Sequence, residues 1–279
     1  MAITTALIGI GAMGKALLGR LQQAGCTVRA YDIAAAGLEA ARAAGAETFA
    51  SPAEAARGAA FIHVIVASDQ DVETACLGPG GVLEGAAPDA ILFLHSTILP
   101  ATTKRVAEAA VKREVAVLDA TVTAVPARVA DGAAVFLVGG DKALVDHVRP
   151  HLLSLGREVQ HFGPLGAGNV AKLAKNMINA AERVLYDEAL KLTEAGGIDA
   201  RQFLETMQRA DQGSFVLRWE KCFTVEGTHA EPRPATNLFN KDVQLAARFA
   251  EMSRLDLPIA QGAAATAVRW VKKWAAQKA

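Results

Sequence analysis

Along the first half of the chain, short apolar runs alternate with longer amphipathic ones. The runs Ala6–Ile10, Thr27–Tyr31, Phe61–Val66, Ile91–Leu94, Val115–Leu118 and Val135–Val138 read as strands. Helical periodicity separates most of them, at Met13–Ala24, Leu38–Ala44, Pro52–Ala56, Gln70–Cys76 and Thr102–Lys112. Ser51-Pro52-Ala53-Glu54 carries a helix start, with Ser as cap, Pro in the first turn and Glu reaching back. Strands that are apolar throughout must be covered on both faces. The pattern therefore predicts an α/β domain with a Rossmann-type, doubly wound parallel sheet.

After Gly163 the rhythm changes. Gly168–Ala195 keeps one helical register without internal proline or glycine and closes on Gly196-Gly197. Further helices are expected at Arg201–Arg209, Asn240–Met252 and Pro258–Trp274, with no strand among them and a surface loop over Gly227–Thr236. The expected organisation is a nucleotide-binding domain over 1–163 and an all-α domain over 164–279, entered by a long interdomain helix.

Composition narrows the function classes. With 279 residues, 52% hydrophobic and formally uncharged overall, the chain can build two cores and carries no electrostatic footprint for nucleic acid or membrane. No apolar stretch approaches the ~20 residues that span a bilayer, and no signal-peptide pattern precedes the first strand. Cys26, Cys76 and Cys222 share no motif and read as reduced thiols, consistent with a cytoplasmic protein. The histidines show no metal-ligand spacing, so no metal is expected.

The strongest local signal is Gly9-Ile10-Gly11-Ala12-Met13-Gly14, placed between the first strand and the first helix. Gly9 allows the tight turn, Gly11 lets a pyrophosphate approach the backbone, and Gly14 lets helix and strand pack. The amides of Ala12 and Met13 open the helix toward the phosphates. The alternative is a glycine-rich turn with no ligand. Asp32 ends the second strand, eighteen residues after Gly14. A carboxylate there binds both ribose hydroxyls of NAD and repels the 2′-phosphate of NADP, and Ile33–Ala41 offers no Arg or Lys to offset that repulsion. NAD is thus expected over NADP, unless Asp32 only caps the next helix.

In the long helix, Lys172 and Asn176 are four apart and share a face. A lysine near a helix N-terminus meets the positive end of the dipole, which favours its neutral form and suits proton exchange. Asn176 could orient the same substrate hydroxyl. Lys175 points elsewhere and reads as solvated, and Lys172 itself could be an ordinary surface lysine.

Four motifs in order make the whole chain resemble the β-hydroxyacid dehydrogenase family, which includes 3-hydroxyisobutyrate dehydrogenase, tartronate semialdehyde reductase and related glyoxylate reductases. They are Gly9–Gly14, Asp119-Ala120-Thr121-Val122-Thr123, the stretch from Gly163 to Asn176, and Lys241-Asp242. Ser96-Thr97 is similar to the family's segment beside the nicotinamide, and Ala67 falls in its cofactor loop. The resemblance implies hydride transfer between NAD and a small carboxylate substrate, a 6-phosphogluconate dehydrogenase-like C-terminal domain and a homodimer or homotetramer. It implies Lys172 as proton donor and acceptor, Asn176 on the reacting oxygen, Thr123 and Ala124 at the substrate carboxylate, Lys241 on the cofactor and Asp242 supporting the cleft.

The match is imperfect. Where the family carries proline, serine and glycines after Asp119, this chain has Thr121, Thr123, Ala124, Val125 and Arg128. Side chains in place of glycines narrow the space at the carboxylate. Arg128 reads as a surface residue, with a second substrate anion as the alternative. His95, just before Ser96, is a second candidate acid–base group. Trp270 and Trp274 read as packing anchors, with a subunit contact as the other option. Two competing functions stay open: reduction of a C=N bond, and a scaffold that binds NAD without catalysis.

Overall fold

The computed structural model describes residues 2–210, 213–226, 229–233 and 236–276. The chain forms two compact units, Met1–Lys172 and Leu173–Ala279. The boundary read from sequence falls earlier, at the end of the last strand of the first unit.

The first unit runs β1 (Thr4–Ile8), α1 (Ala12–Gln23), β2 (Thr27–Tyr31), α2 (Ala35–Ala43), β3 (Glu47–Thr48), α3 (Pro52–Ala56), β4 (Phe61–Val64), α4 (Asp69–Leu77), α5 (Val82–Gly85), β5 (Ile91–Leu94) and α6 (Pro100–Val111). It continues through β6 (Ala116–Val122), α7 (Pro126–Ala130), β7 (Val135–Gly139), α8 (Lys142–Leu155) and β8 (Glu158–Gly163). The strands lie in the order β3-β2-β1-β4-β5-β6-β7-β8, parallel except for the β6–β7 pair. Alternate residues feed two cores. Leu7, Phe93, Leu118 and Phe136 join α1 and α8 on one face, while Ile8, Ile62, Leu92 and Leu94 pack against α3 to α6 on the other. The expected doubly wound sheet is present. At α3 the Ser51 hydroxyl accepts from the Glu54 amide at 3.2 Å, and Glu54 reaches back to the Ala50 amide at 3.0 Å.

α9 (Ala167–Ala195) leaves the first unit and continues into the second, where α10 (Ala200–Arg209), α11 (Gly213–Trp219), β9 (Phe223–Glu226), β10 (His229–Pro232), α12 (Thr236–Met252) and α13 (Pro258–Ala276) follow. The second unit is helical, with one correction. β9 and β10 form an antiparallel hairpin where a strandless domain and a surface loop were expected. Its anchor is Phe223, which stacks on Trp219 with ring centroids 5.0 Å apart and meets the edge of Trp270 at 4.6 Å. Trp270 is therefore a core residue of this unit. Among the described residues, no helix is long and apolar enough to cross a membrane.

Candidate active site

The glycine turn joins β1 to α1. Gly9 has φ +98°, and a Cβ on it would lie 2.3 Å from the Ile65 carbonyl oxygen; one on Gly14 would lie 2.0 Å from the Gly9 oxygen. Packing alone demands those two glycines. At Gly11 a Cβ would meet no protein atom within 4 Å. Protein packing does not require that glycine, and the open backbone there leaves room for a ligand's approach. Gly11 also caps α1 without a side chain, so no side-chain acceptor covers the first-turn amides that begin with Ala12, Met13 and Gly14. These residues fit a dinucleotide pyrophosphate.

Asp32 follows β2. Its carboxylate accepts the Ile10 amide through Oδ2 and the Ala34 amide, at 2.7 Å, through Oδ1. It therefore shapes the turn ahead of α2 without capping that helix, whose N-cap is Ala34, and also ties β2 to the glycine turn. Each oxygen keeps a second lone pair for a ribose hydroxyl. Ile33 beside it is 93% exposed, an apolar surface that the sequence reading passed over. Its signal was an isoleucine directly after the strand-terminal acid.

On the other side of β1, the ends of β4 and β5 are clasped together. The Ser96 hydroxyl accepts from the Val66 amide at 2.8 Å and donates to the Val66 carbonyl at 2.9 Å. Ser96 is buried, whereas Thr97 is half-buried and Ala67 exposed. Asp69 accepts from the Leu99 amide at 2.9 Å and the Thr102 hydroxyl at 2.6 Å, which fixes the loop where the family often has proline.

β6 extends past its expected end at Leu118 and carries Asp119, Thr121 and Val122 as strand residues. Asp119 is fully buried, and its carboxylate accepts from the Gly166 amide at 2.7 Å and the Asn169 amide at 2.8 Å. It holds the start of α9. Thr121, in place of proline, reaches the Gly168 carbonyl at 3.2 Å and the Leu137 carbonyl at 3.4 Å. Lys172 then lies over the end of β6, its Nζ donating to the Val122 carbonyl at 2.6 Å. Thr123, next in the chain, is half-buried with its Oγ1 3.4 Å from the Val135 carbonyl; Ala124 is half-buried too. The dipole argument for Lys172 weakens, because α9 begins at Ala167 and the Asp119 anion occupies its N-terminus. Arg128 is exposed, as its surface reading held.

Within the second unit, Asn176 is buried, and its Nδ2 donates to Asp242 Oδ2 at 2.8 Å. Lys241 Nζ lies 3.4 Å from Asp242 Oδ1. Lys175 is exposed, as the solvated reading expects, and its Nζ is also 3.3 Å from Asn176 Oδ1. Its side chain still reaches solvent, yet the surrounding protein lowers its pKa, through desolvation first and then the Arg183 cation, with Asp242 opposing. Asn176 is thus held at both ends of its amide.

The second acid–base candidate, His95, is 3% exposed and hydrogen-bonded inside the sheet, which removes it from proton exchange with a substrate. Among the described residues no group of three His, Cys, Asp or Glu side chains could hold a metal ion. All three cysteines are free; burial pushes the Cys76 thiol up to about 12.

Comparisons with known proteins agree with this geometry. Residues 4–163 match the family described as the NAD-binding domain of 6-phosphogluconate dehydrogenase. Residues 166–277 match the one described as NAD-binding of NADP-dependent 3-hydroxyisobutyrate dehydrogenase. The chain is 34% identical over 212 residues to an NAD-dependent L-serine dehydrogenase of Pseudomonas aeruginosa, covering 76% of this chain and 71% of that one. It is 32% identical over 266 residues to the 3-hydroxyisobutyrate dehydrogenase of the same organism, covering 91% and 87%. Among solved structures, Mycobacterium tuberculosis 3-hydroxyisobutyrate dehydrogenase with L-serine superposes with a TM-score of 0.83 at 27% identity, over 98% of this chain and 94% of the other. The chain belongs to the β-hydroxyacid dehydrogenase family, as an NAD-binding oxidoreductase that acts on CH–OH groups.

Proposed function

We propose that the enzyme oxidises the hydroxyl of a small 3-hydroxy carboxylate to the semialdehyde, or runs the reverse reduction, with Lys172 exchanging the proton. The observation that carries this reading is the bond from Lys172 Nζ to the Val122 carbonyl, which holds the ammonium one residue from Thr123. 3-Hydroxyisobutyrate and L-serine, named for two relatives, share a CH2OH group one carbon from a carboxylate-bearing carbon. Thr123 and Ala124 receive the carboxylate. In oxidation Lys172, as the free amine, takes the hydroxyl proton; in reduction, as the ammonium, it returns it. Asn176, one turn along α9 and oriented by Asp242, holds the reacting oxygen. The dinucleotide, when bound, accepts or supplies the hydride, and Lys241 serves its binding. Ala124 and Val125 in place of glycines beside Thr123 favour a substrate of different bulk from those of the relatives. Exposed Ile178, Leu185, Leu217 and Ile259 on the second unit support a homodimer or homotetramer.

Absorbance at 340 nm across 3-hydroxyisobutyrate, L-serine, glyoxylate, several semialdehydes and a cyclic imine tests the reading. Turnover is expected with at least one free acid and should be lost with its methyl ester. Turnover of the imine alone would replace it with C=N reduction, and NAD binding with no turnover would leave a scaffold.

Asp32 favours NAD over NADP in the same proposal. The kcat/KM with NAD should exceed that with NADP by at least about tenfold, the cost of placing a doubly charged phosphate beside a carboxylate. Asp32→Ser should narrow the ratio. Equal use of both by the unmodified enzyme would refute the assignment.

A further inference from the structure

Three histidines outside the proposed chemistry meet inside the first unit. His63 on β4, His95 just beyond β5 and His151 on α8 are buried. His63 Nδ1 is 2.9 Å from His95 Nε2, His63 Nε2 is 3.1 Å from His151 Nε2, and His95 Nδ1 is 2.6 Å from the Ala120 carbonyl oxygen. Phe61, Phe93 and Phe136 pack on the rings; His63 stacks on Phe93 with centroids 5.0 Å apart.

The last contact fixes every proton. A carbonyl only accepts, so His95 Nδ1 carries hydrogen and, in the neutral ring, Nε2 accepts. His63 Nδ1 must then donate, which leaves its Nε2 as an acceptor for the His151 Nε2–H. The chain runs one way, from His151 through His63 and His95 to Ala120. Because it ends on a carbonyl, it cannot pass a proton toward a substrate.

Such a chain holds while the rings are neutral. One proton can enter at His151 Nδ1, which lies outside the chain, without breaking it. A second proton sets two N–H groups against each other. Burial lowers the pKa of His63 well below the ordinary histidine value, with the neighbouring His95 and His151 adding to it. Burial also lowers His95 to about 4, against the raising effect of its hydrogen bond to the Ala120 carbonyl, and lowers His151 to about 4, with His95 adding. The titratable groups that act on the chain are its own members. The facing side chains of β4, β5 and β7 are phenylalanines, and α1 sends Arg20 to the Ser154 carbonyl. Asp119 on β6 is turned to the start of α9, and Asp146 on α8 pairs with Lys142 and Arg149 at the surface.

The chain supports the clasp at the cofactor end of the sheet. The His95 amide donates to the Val64 carbonyl at 2.9 Å, and the adjacent Ser96 grips Val66 through both of its backbone groups. We propose that His63, His95 and His151 form a neutral positioning chain that holds Val66–Ala67 and Ser96–Thr97 in place for the dinucleotide, and that acid disrupts it and weakens dinucleotide binding. The second clause rests on the proposed function. The sign follows from linkage. These rings bind protons more weakly folded than unfolded, so their contribution to folding stability is complete above about pH 6.5 and fades as pH falls toward 4, whereas the folded chain itself takes up protons, and loosens the clasp, only near pH 4.

Two measurements test it. Nitrogen-15 spectra of the histidine rings at pH 7.5 should show His63 and His95 protonated at Nδ1 and His151 at Nε2. Another tautomer set, or an imidazolium among the three, overturns the chain. Calorimetric titration of NAD, with circular dichroism to confirm folding, should show Kd nearly constant from pH 7.5 to about 5.5 and rising severalfold as pH falls through about 4, where the folded rings take up protons. In the His63→Phe/His95→Phe/His151→Phe variant, Kd should change less than about twofold over that range. A flat profile in the unmodified protein, or the same slope in the variant, overturns the positioning role. Should the variant not fold, the ring spectra and the unmodified profile still decide. Absence of NAD binding at every pH would overturn the cofactor reading and leave the tautomer test standing.

Discussion

Lys172→Ala is expected to lower kcat by roughly a hundred- to ten-thousandfold, the range for removing a positioned general acid–base group. The Kd for NAD should stay within about threefold, since the proposal gives Lys172 the proton transfer and not a dinucleotide contact. The confounding effect is structural, because Nζ also donates to the Val122 carbonyl. A half-buried bond of this kind is worth about 1–2 kcal/mol, enough to shift the melting temperature but not to account for the lost rate at 25 °C. Lys172→Arg separates the two effects. A guanidinium still reaches a carbonyl but does not release its proton near neutral pH, so stability should recover while turnover does not. Substantial turnover in the alanine variant would remove Lys172 from the mechanism.

Much of this was legible in the chain, and the failures share a physical origin. The glycine turn, Asp32 and the pair Lys172 and Asn176 were readable because each is a local pattern: a loop between strand and helix, an acid at a strand end, an i,i+4 spacing. What escaped depends on partners distant in sequence. β6 was ended at Leu118 because Asp119, Thr121 and Thr123 look like the polar residues of a loop. Asp119 and Thr121 belong in the strand because the amides of Gly166 and Asn169 and the carbonyl of Gly168 supply their hydrogen bonds, and Thr123 lies beside it on the Val135 carbonyl. α8 was missed although Val145, Val148, Leu152 and Leu155 keep a helical period, since Pro150 and His151 interrupt the pattern. His151 is buried there only because His63 and His95 complete it. β8 lies at the sheet edge with Gln160 and Phe162 exposed, and its mixture of polar and apolar residues gives no apolar run. In the second unit, the hairpin of β9 and β10 depends on aromatic packing between Trp219, Phe223 and Trp270, whose separation in sequence hides it. Lys175 is exposed as its helix face predicts, but the Asp242 carboxylate and the Arg218 and Lys221 cations that act on it come from outside α9.

Asp119→Ala should produce the largest loss of stability of any single change in the first unit. The carboxylate is wholly buried and is the acceptor for the amides that open α9. A Cβ on Gly168 would lie 2.8 Å from its Oδ2, so backbone and carboxylate are already in tight contact and no other group can move in. Alanine leaves buried N–H groups without an acceptor and a void beside them, a loss of about 3–5 kcal/mol. For a unit of this size that corresponds to a melting temperature lower by roughly 10 °C. Asp119→Asn should lose less, because one oxygen remains, but its amide nitrogen faces a donor. Turnover of the surviving folded enzyme should fall as well, since the start of α9 sets where Lys172 lies. The pH dependence distinguishes this residue from the histidines. Burial raises the Asp119 pKa, and the hydrogen bonds from Gly166, Asn169 and Gly168 only partly bring it back. A folded-state pKa above the unfolded one contributes stability that is present below the unfolded value and lost as pH rises through the folded value. The deficit of Asp119→Ala should therefore be at least as large at pH 5 as at pH 7.5, whereas the contribution of the histidine chain shrinks over the same interval. Thermal melts of both variants at the two pH values measure this, and a deficit for Asp119→Ala that vanishes in acid would show that the fold depends on the charge of Asp119 and not on its acceptor geometry.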